Sequence, residues 1–450
     1  MIRLKEQSNG AERPTQFFER YSVLRNVIAA LRKLTDGREV WAIADQALVS
    51  GTNFLTNIVV ARSLGLTEFG IFALAWMAVL FFYTVQLSGI VAPMMSLGPK
   101  TTPTNRPRYF GAVIVQELCF LAVCVGLLYF GLQMMWSLDH RSSLTGLTFP
   151  LLGAMVAYLL QDFLRRYLFT TRQSFRAFLI DFISYVPQIP LIVLAIKNYH
   201  IHTPGVLWII ALTSFTGVAI GLYWFEHIAI DFGSLRTTLA RQWNIARWLA
   251  PSAVLWWTST NFFVVVAPVY YGAMAAGVLR ASQNLVGACN IWFLGLENVI
   301  PAETSRLLKD EGLSSSASYL RSTTLKWGVI TVIYVSILAL APNLWLTMFY
   351  GSKYAGYGYL LQLYGISYIF VFTGLPLRAG LQAVEYTSPI FWTYVLLTAI
   401  SLTTAVPLTR WLGLRGVIMG TIFVQLIFQG ILLACLIRRY RVLSMKAARV

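Results

Sequence analysis

The chain has 450 residues, 57% of them hydrophobic and only 12% charged, against about 25% charged in soluble domains. Most side chains therefore face an apolar solvent, and no long polar stretch remains for a separate soluble domain. The net charge of +17 does not describe a nucleic-acid surface, because Lys and Arg sit in short connections between apolar runs, as positive-inside topology requires.

In chain order, residues 1–40 form a polar, basic segment with no signal-peptide core. From Thr15 to Val40 its apolar residues (Phe17, Phe18, Tyr21, Leu24, Ile28, Leu31, Leu34) alternate with Arg20, Arg25, Arg32 and Lys33. This pattern predicts an amphipathic helix on the cytoplasmic leaflet, either a charged anchor or a partner-binding element. Twelve apolar windows follow, at roughly 41–61, 70–97, 110–134, 148–170, 177–196, 204–227, 246–270, 273–300, 325–348, 357–380, 388–409 and 413–437. The longest connection expected is 301–324, with Ser314, Ser315 and Ser316. The organisation predicted is an N-lobe over 41–230 (spans 1–6), a C-lobe over 241–438 (spans 7–12) and a basic tail over 439–450. With the N-terminus placed in the cytoplasm, 28 of the 35 Lys and Arg residues fall on the inner side, so both ends are expected there.

The two halves repeat weakly. Ser50-Gly51-Thr52-Asn53-Phe54, Gly65 and Gly70-Ile71 in the first half correspond to Thr258-Ser259-Thr260-Asn261-Phe262, Gly272 and Gly277-Val278 in the second. Six spans each in the same orientation imply parallel repeats about an axis along the membrane normal.

Enzymatic motifs are missing: there is neither a phosphate-cradling G-x4-G-K-[ST] nor a G-x-S-x-G nucleophile turn. His140, His200, His202 and His227 fall at span ends or in connections, so no metal centre or cofactor is expected. Cys119, Cys124, Cys289 and Cys435 lie in apolar runs and read as small buried hydrophobes. A membrane-embedded glycosyl polymerase or ligase is disfavoured by the short outer loops.

Polar residues within spans are the functional candidates, because burying them in hydrocarbon is costly. In span 8, Arg280, Gln283, Gly287, Asn290, Leu294 and Glu297 share one helical face, with Asn284 beside it. Arg280 either lines a cavity or snorkels to the outer surface. Span 1 carries Gln46, Ser50, Asn53 and Asn57, which either line the same cavity or hydrogen-bond between helices. Gln362, Arg378, Gln382, Gln425 and Gln429 extend the wall. Asp45, Glu117, Asp181 and Glu297 are the candidates for coupling to H+ or Na+. Asp162 is expected to pair with Arg165 or Arg166 at helical spacing. Pro93, Pro187, Pro190 and Pro268 kink their spans, as shape adaptation or as hinges. Trp256, Trp257, Tyr270 and Tyr271 anchor at the interface or stack sugars.

The stretch Ala44-Asp45-Gln46-Ala47-Leu48-Val49-Ser50-Gly51-Thr52-Asn53-Phe54, with Val60-Ala61-Arg62-Ser63-Leu64-Gly65 and Glu68-Phe69-Gly70-Ile71-Phe72-Ala73-Leu74-Ala75, resembles the opening of bacterial polysaccharide transporters. These are oligosaccharide flippases related to multidrug and toxic compound extruders. The resemblance implies an all-α membrane fold of two six-helix lobes around a central cavity, acting as a monomer in the bacterial inner membrane. It implies transfer of an undecaprenyl-diphosphate-linked oligosaccharide for O-antigen or exopolysaccharide synthesis, beside polymerase and export machinery, without catalysis. Basic cavity residues would hold the diphosphate; carried over, these are Arg280, Arg62 and Arg378. An ion-coupled small-molecule or drug exporter of the same fold is the alternative.

Overall fold

A computed structural model describes residues 38–138, 145–225 and 228–447. The expected amphipathic segment therefore lies almost wholly outside the described residues. The helices are α1 (Arg38–Leu64), α2 (Leu66–Lys100), α3 (Arg106–Leu138), α4 (Thr148–Thr170), α5 (Ser174–Tyr199), α6 (Thr203–Tyr223) and α7 (Phe232–Tyr271). They continue with α8 (Ala273–Asp310), α9 (Leu313–Leu340), the short α10 (Pro342–Tyr350), α11 (Gly358–Ala383) and α12 (Ser388–Ala447).

Nine helices are long and apolar enough to cross a bilayer, among the described residues. The last of them is two crossings joined at Gly413, whose φ of 62° and ψ of −145° break the helix. α1 and α4 match two further predicted spans but fall short on hydropathy, because they carry the densest polar and ionic residues of the first lobe. Twelve crossings result, as the apolar windows predict. The face at which α1 begins is called here the basic face.

Connections are shorter and helices longer than predicted. The expected 301–324 loop is wrong: α8 runs to Asp310 and α9 starts at Leu313, with Glu311 and Gly312 (φ 90°) as the joint. Most of its polar residues, such as Ser305, Arg306, Lys309 and Asp310, are exposed helix beyond the hydrocarbon, which hydropathy windows read as loop, while Thr304 and Ser316 are buried where α8 and α9 meet. For the same reason α7 begins at Phe232 rather than near 246. The predicted span 325–348 is divided between α9 and α10, and α6 ends at Tyr223 rather than 227. Pro187, Pro190 and Pro268 lie within continuous helices. Pro93 follows a π turn over Leu87–Val91, which re-registers the hydrogen bonds that the imide nitrogen cannot make.

In the first lobe α4 packs on α6, and α5 on α1 and α6; in the second, α12 packs on α7 and α11, and α11 on α8 and α9. The lobes meet where α2 crosses α8. There the sequence repeat becomes geometry. Gly65 (φ 85°) and Gly272 (φ 73°) turn the chain into α2 and α8 with the same backbone conformation. Five residues later, Gly70 and Gly277 lie against each other. A Cβ on Gly277 would sit 2.5 Å from the Leu66 carbonyl oxygen, and one on Gly70 would collide with the Ala273 carbonyl. Only glycine permits this backbone approach.

This crossing seals the face opposite the basic one. Arg62 Nη1 donates to the Met348 carbonyl at 3.2 Å, and Phe69 stacks on Tyr350 at 6.3 Å between ring centroids. Toward the basic face α7 stays packed on α2 and α3, while the lower part of α8 leaves α1. Beyond the 3-10 turn Gly287–Cys289, α8 packs on α9 and α11 of its own lobe. Gln46 of α1, and Asn290, Glu297 and Asn298 of α8, are exposed there. Polar side chains of this kind turned to acyl chains are costly, so they line a water-filled gap between the lobes.

Candidate functional site

Two polar centres flank this gap. In the second lobe, Arg280 projects from α8 about two turns below the sealed face. Its Nη1 donates to Gln283 Oε1 at 3.1 Å. Around it stand the hydroxyls of Tyr364 and Tyr368 from α11 and Tyr350 from α10. No carboxylate of the described residues lies within ion-pair distance of Arg280. Asn284 Nδ2 and the Tyr350 hydroxyl are buried and interact with each other, and the Tyr354 hydroxyl is buried without a partner. A guanidinium with no carboxylate beside it, set among tyrosine hydroxyls, is a setting for an anion.

Lower on the same helix Asn290 is exposed beside Gly287, where an added Cβ would lie 3.3 Å from Tyr368 Oη. Glu297, about half exposed, accepts from Arg378 of α11 at 3.3 Å. That pair ties α8 to α11, so Glu297 is a solvated partner rather than a buried carboxylate. Arg62 lies at the sealed end of α1, away from Arg280 along the chain and bonded to backbone.

In the first lobe the centre is ionic. Arg165 of α4, 7% exposed, reaches Asp45 of α1 (2.8 Å), Asp181 of α5 (3.1 Å) and Asp162 of its own helix (3.1 Å). Arg166 pairs with Asp162 at 3.4 Å and donates to Tyr83 Oη at 3.1 Å. Gln161 donates to Asp181 at 3.1 Å, and Arg165 Nη2 meets Gln46 Oε1 at 3.4 Å. Three carboxylates thus face two guanidiniums, all buried except Arg166, which is partly exposed.

Glu117 of α3, 1% exposed, accepts from Gln86 at 2.6 Å, while its second oxygen has no partner. Asn53 and Asn57 line a cavity of about 10 Å³ inside the first lobe, with Thr56, Gln188 and Ser214. It is large enough for one water. Asn57 also donates to the Asn53 carbonyl at 2.7 Å.

The sequence separates these residues otherwise. It reads Asp162 with Arg165 or Arg166 as a pair at helical spacing near a span end. Both pairs form, but Arg165 is buried and draws in Asp45 and Asp181 from helices far apart in the chain. The tyrosines around Arg280 give no sequence signal, because they come from α10 and α11. Tyr271 of α7 donates to the Thr409 carbonyl at 3.1 Å, and Arg410 lies over the Tyr270 ring, so both rings fasten the end of α7 to α12.

No family model matches the chain, and no curated protein matches it. Solved structures do. An inward-facing multidrug resistance MATE family transporter of the MOP superfamily aligns at TM-score 0.74 and 14% identity, covering 89% of this chain and 96% of that one. An outward-facing structure of such a transporter aligns at 0.62, with 14% identity over 90% and 94%. The lipid II flippase MurJ in an inward closed conformation aligns at 0.65, with 14% identity over 90% and 88%. The chain has the two-lobed MATE/MOP transporter fold.

Proposed function

We propose that the chain is a transporter that flips an undecaprenyl-diphosphate-linked oligosaccharide from the inner to the outer leaflet of a bacterial cytoplasmic membrane, for surface-polysaccharide synthesis. The observation that carries this reading is Arg280, a guanidinium with no carboxylate in ion-pair distance and with tyrosine hydroxyls around it. The diphosphate must cross about 30 Å of hydrocarbon. A fixed, forked cation with hydroxyl donors beside it lowers that barrier. Gln283, Asn284 and Asn290 add donors along the same helix, and Arg378 stands lower on the wall. The positive-inside bias supports a cytoplasmic basic face, and in this reading the gap opens toward the leaflet where such lipids are assembled. The fold's likeness to a lipid II flippase supports the same class of cargo.

The first-lobe cluster is the coupling element in this reading. With three carboxylates against two guanidiniums, one negative charge is left for a proton or a monovalent cation. Asp45 and Asp181 bridge α1 and α5 through Arg165, so neutralising either changes how those helices hold together. Glu117 is a second proton-holding candidate.

An ion-coupled drug exporter of the same fold is favoured by one observation, the higher TM-score to a multidrug transporter. Deleting the gene and analysing lipids separates the two. The flippase predicts lipid-linked repeat units stranded on the cytoplasmic leaflet. Normal units with altered drug sensitivity reverse the assignment.

A further inference from the structure

A groove of about 540 Å³ lies where α7 meets α2 and α3 near the basic face. That volume falls within the range of about 300–1,000 Å³ typical of small-molecule sites. Its walls are Val85 and Ile90 of α2, Phe120 of α3, and Leu239 and Trp243 of α7; Gln116 is its single polar side chain. The α2 wall includes the π turn Leu87–Val91. Small residues keep the groove open: a Cβ on Gly89 would reach Ala250 at 3.9 Å, and Ala240 stands exposed at the rim. A wall so poor in polar groups rejects a sugar and accepts hydrocarbon.

Charge beside the groove narrows the occupant. Arg236, Arg241 and Arg247 are all exposed on the stretch of α7 along and just ahead of the groove. Gln242 donates to Tyr109 Oη at 3.2 Å and fixes that stretch against α3. α7 has 40 residues, or about 60 Å of helix at 1.5 Å per residue. It therefore overruns a hydrocarbon layer of about 30 Å and carries its arginines to headgroup level. A greasy slot flanked by three exposed cations, Arg236 ahead of its α7 lining and Arg241 and Arg247 within that stretch, fits an amphiphile with a long tail and a multiply charged anionic head.

We infer that this groove holds the polyprenyl tail of the diphosphate-linked cargo, with the diphosphate first met by Arg236, Arg241 and Arg247. This rests on the flippase reading for the identity of the cargo. The groove is built from helices of both lobes' ends, so the tail docks at the joint between them while the head enters the gap. The site is distinct from Arg280, which lies near the opposite face.

The test uses the full-length protein in phosphatidylethanolamine nanodiscs and a polyprenyl diphosphate with a diazirine on its tail. Cross-links mapped by mass spectrometry are expected in 85–90, 116–120 and 239–250. Excess unlabelled polyprenyl diphosphate removes them, and the same excess of phosphatidylglycerol does not. Ala240→Trp, which fills an exposed rim, lowers labelling at least about tenfold with the protein still monodisperse. Replacing the three arginines with Gln lowers it about fivefold per arginine. Labelling elsewhere, or equal displacement by phosphatidylglycerol, overturns the inference and makes the groove an ordinary lipid contact. The two readings fail separately. Stranded lipid-linked units in a deletion strain without groove labelling remove the tail site and keep the flippase. Specific groove labelling without stranded units keeps the lipid site and removes the transport assignment.

Discussion

Arg165 Nε lies 2.8 Å from Asp45 Oδ2, joining α4 to α1 across 120 residues of chain in a space closed to water. The contact explains why the two least apolar spans can sit in a membrane protein: each neutralises the other.

Removing one partner of such a cluster strands the rest. Arg165→Ala leaves Asp45, Asp162 and Asp181 with Arg166 as the one remaining cation of the cluster. The expected loss is about 3–5 kcal/mol, read as a large fall in melting temperature in detergent. Arg165→Met combined with Asp45→Asn and Asp181→Asn recovers part of it, because charge is removed on both sides. A melting temperature unchanged by Arg165→Ala alone contradicts the burial described.

The glycine crossing carries a second prediction. Gly70→Ala forces α2 away from the Ala273 carbonyl, and Gly277→Ala forces α8 from that of Leu66. Each is expected to cost the sealed state about 1–3 kcal/mol. Spin-label distances across that face should lengthen or broaden, while distances within either lobe stay fixed.

Arg280 gives the third. Arg280→Ala should reduce export about 10- to 100-fold, the scale of one charged hydrogen-bonding group, with thermal stability equal or higher, since an uncompensated cation has been removed. Arg280→Lys retains charge without the fork and should lie between. Wild-type export by both variants removes the diphosphate role from this residue.

A fourth concerns the break in α12. Gly413 has φ 62° and ψ −145°, a region essentially reserved for glycine, where a side chain costs about 1–3 kcal/mol. Gly413→Ala should lower the melting temperature by a few degrees. Gly430→Ala, with open space around the added Cβ, should be neutral or slightly stabilising.

What the sequence makes legible follows from what bilayers penalise. Span number emerges because apolar runs and Lys/Arg placement are local signals. The Arg280 face is visible because Gln283, Asn290 and Glu297 recur at helical spacing on one element. The rest depends on contacts between distant elements. Nothing local says that Arg165 turns inward to Asp45 and Asp181, or that Tyr350, Tyr364 and Tyr368 converge on Arg280. The overlooked ends of α7, α8 and α9 are polar helix outside the hydrocarbon, where a hydropathy window loses its signal but capping and backbone bonding continue.

Leu66 and Gly70 correspond, residue for residue, to Ala273 and Gly277, and each pair supplies both the obstacle and the vacancy that the other needs. The joint is thus isologous. One half of the chain, duplicated, already owns a complete gasket against its twin. A single change near it alters one side of a symmetric closure, so tightening or loosening the two halves evenly takes paired replacements, one in each copy.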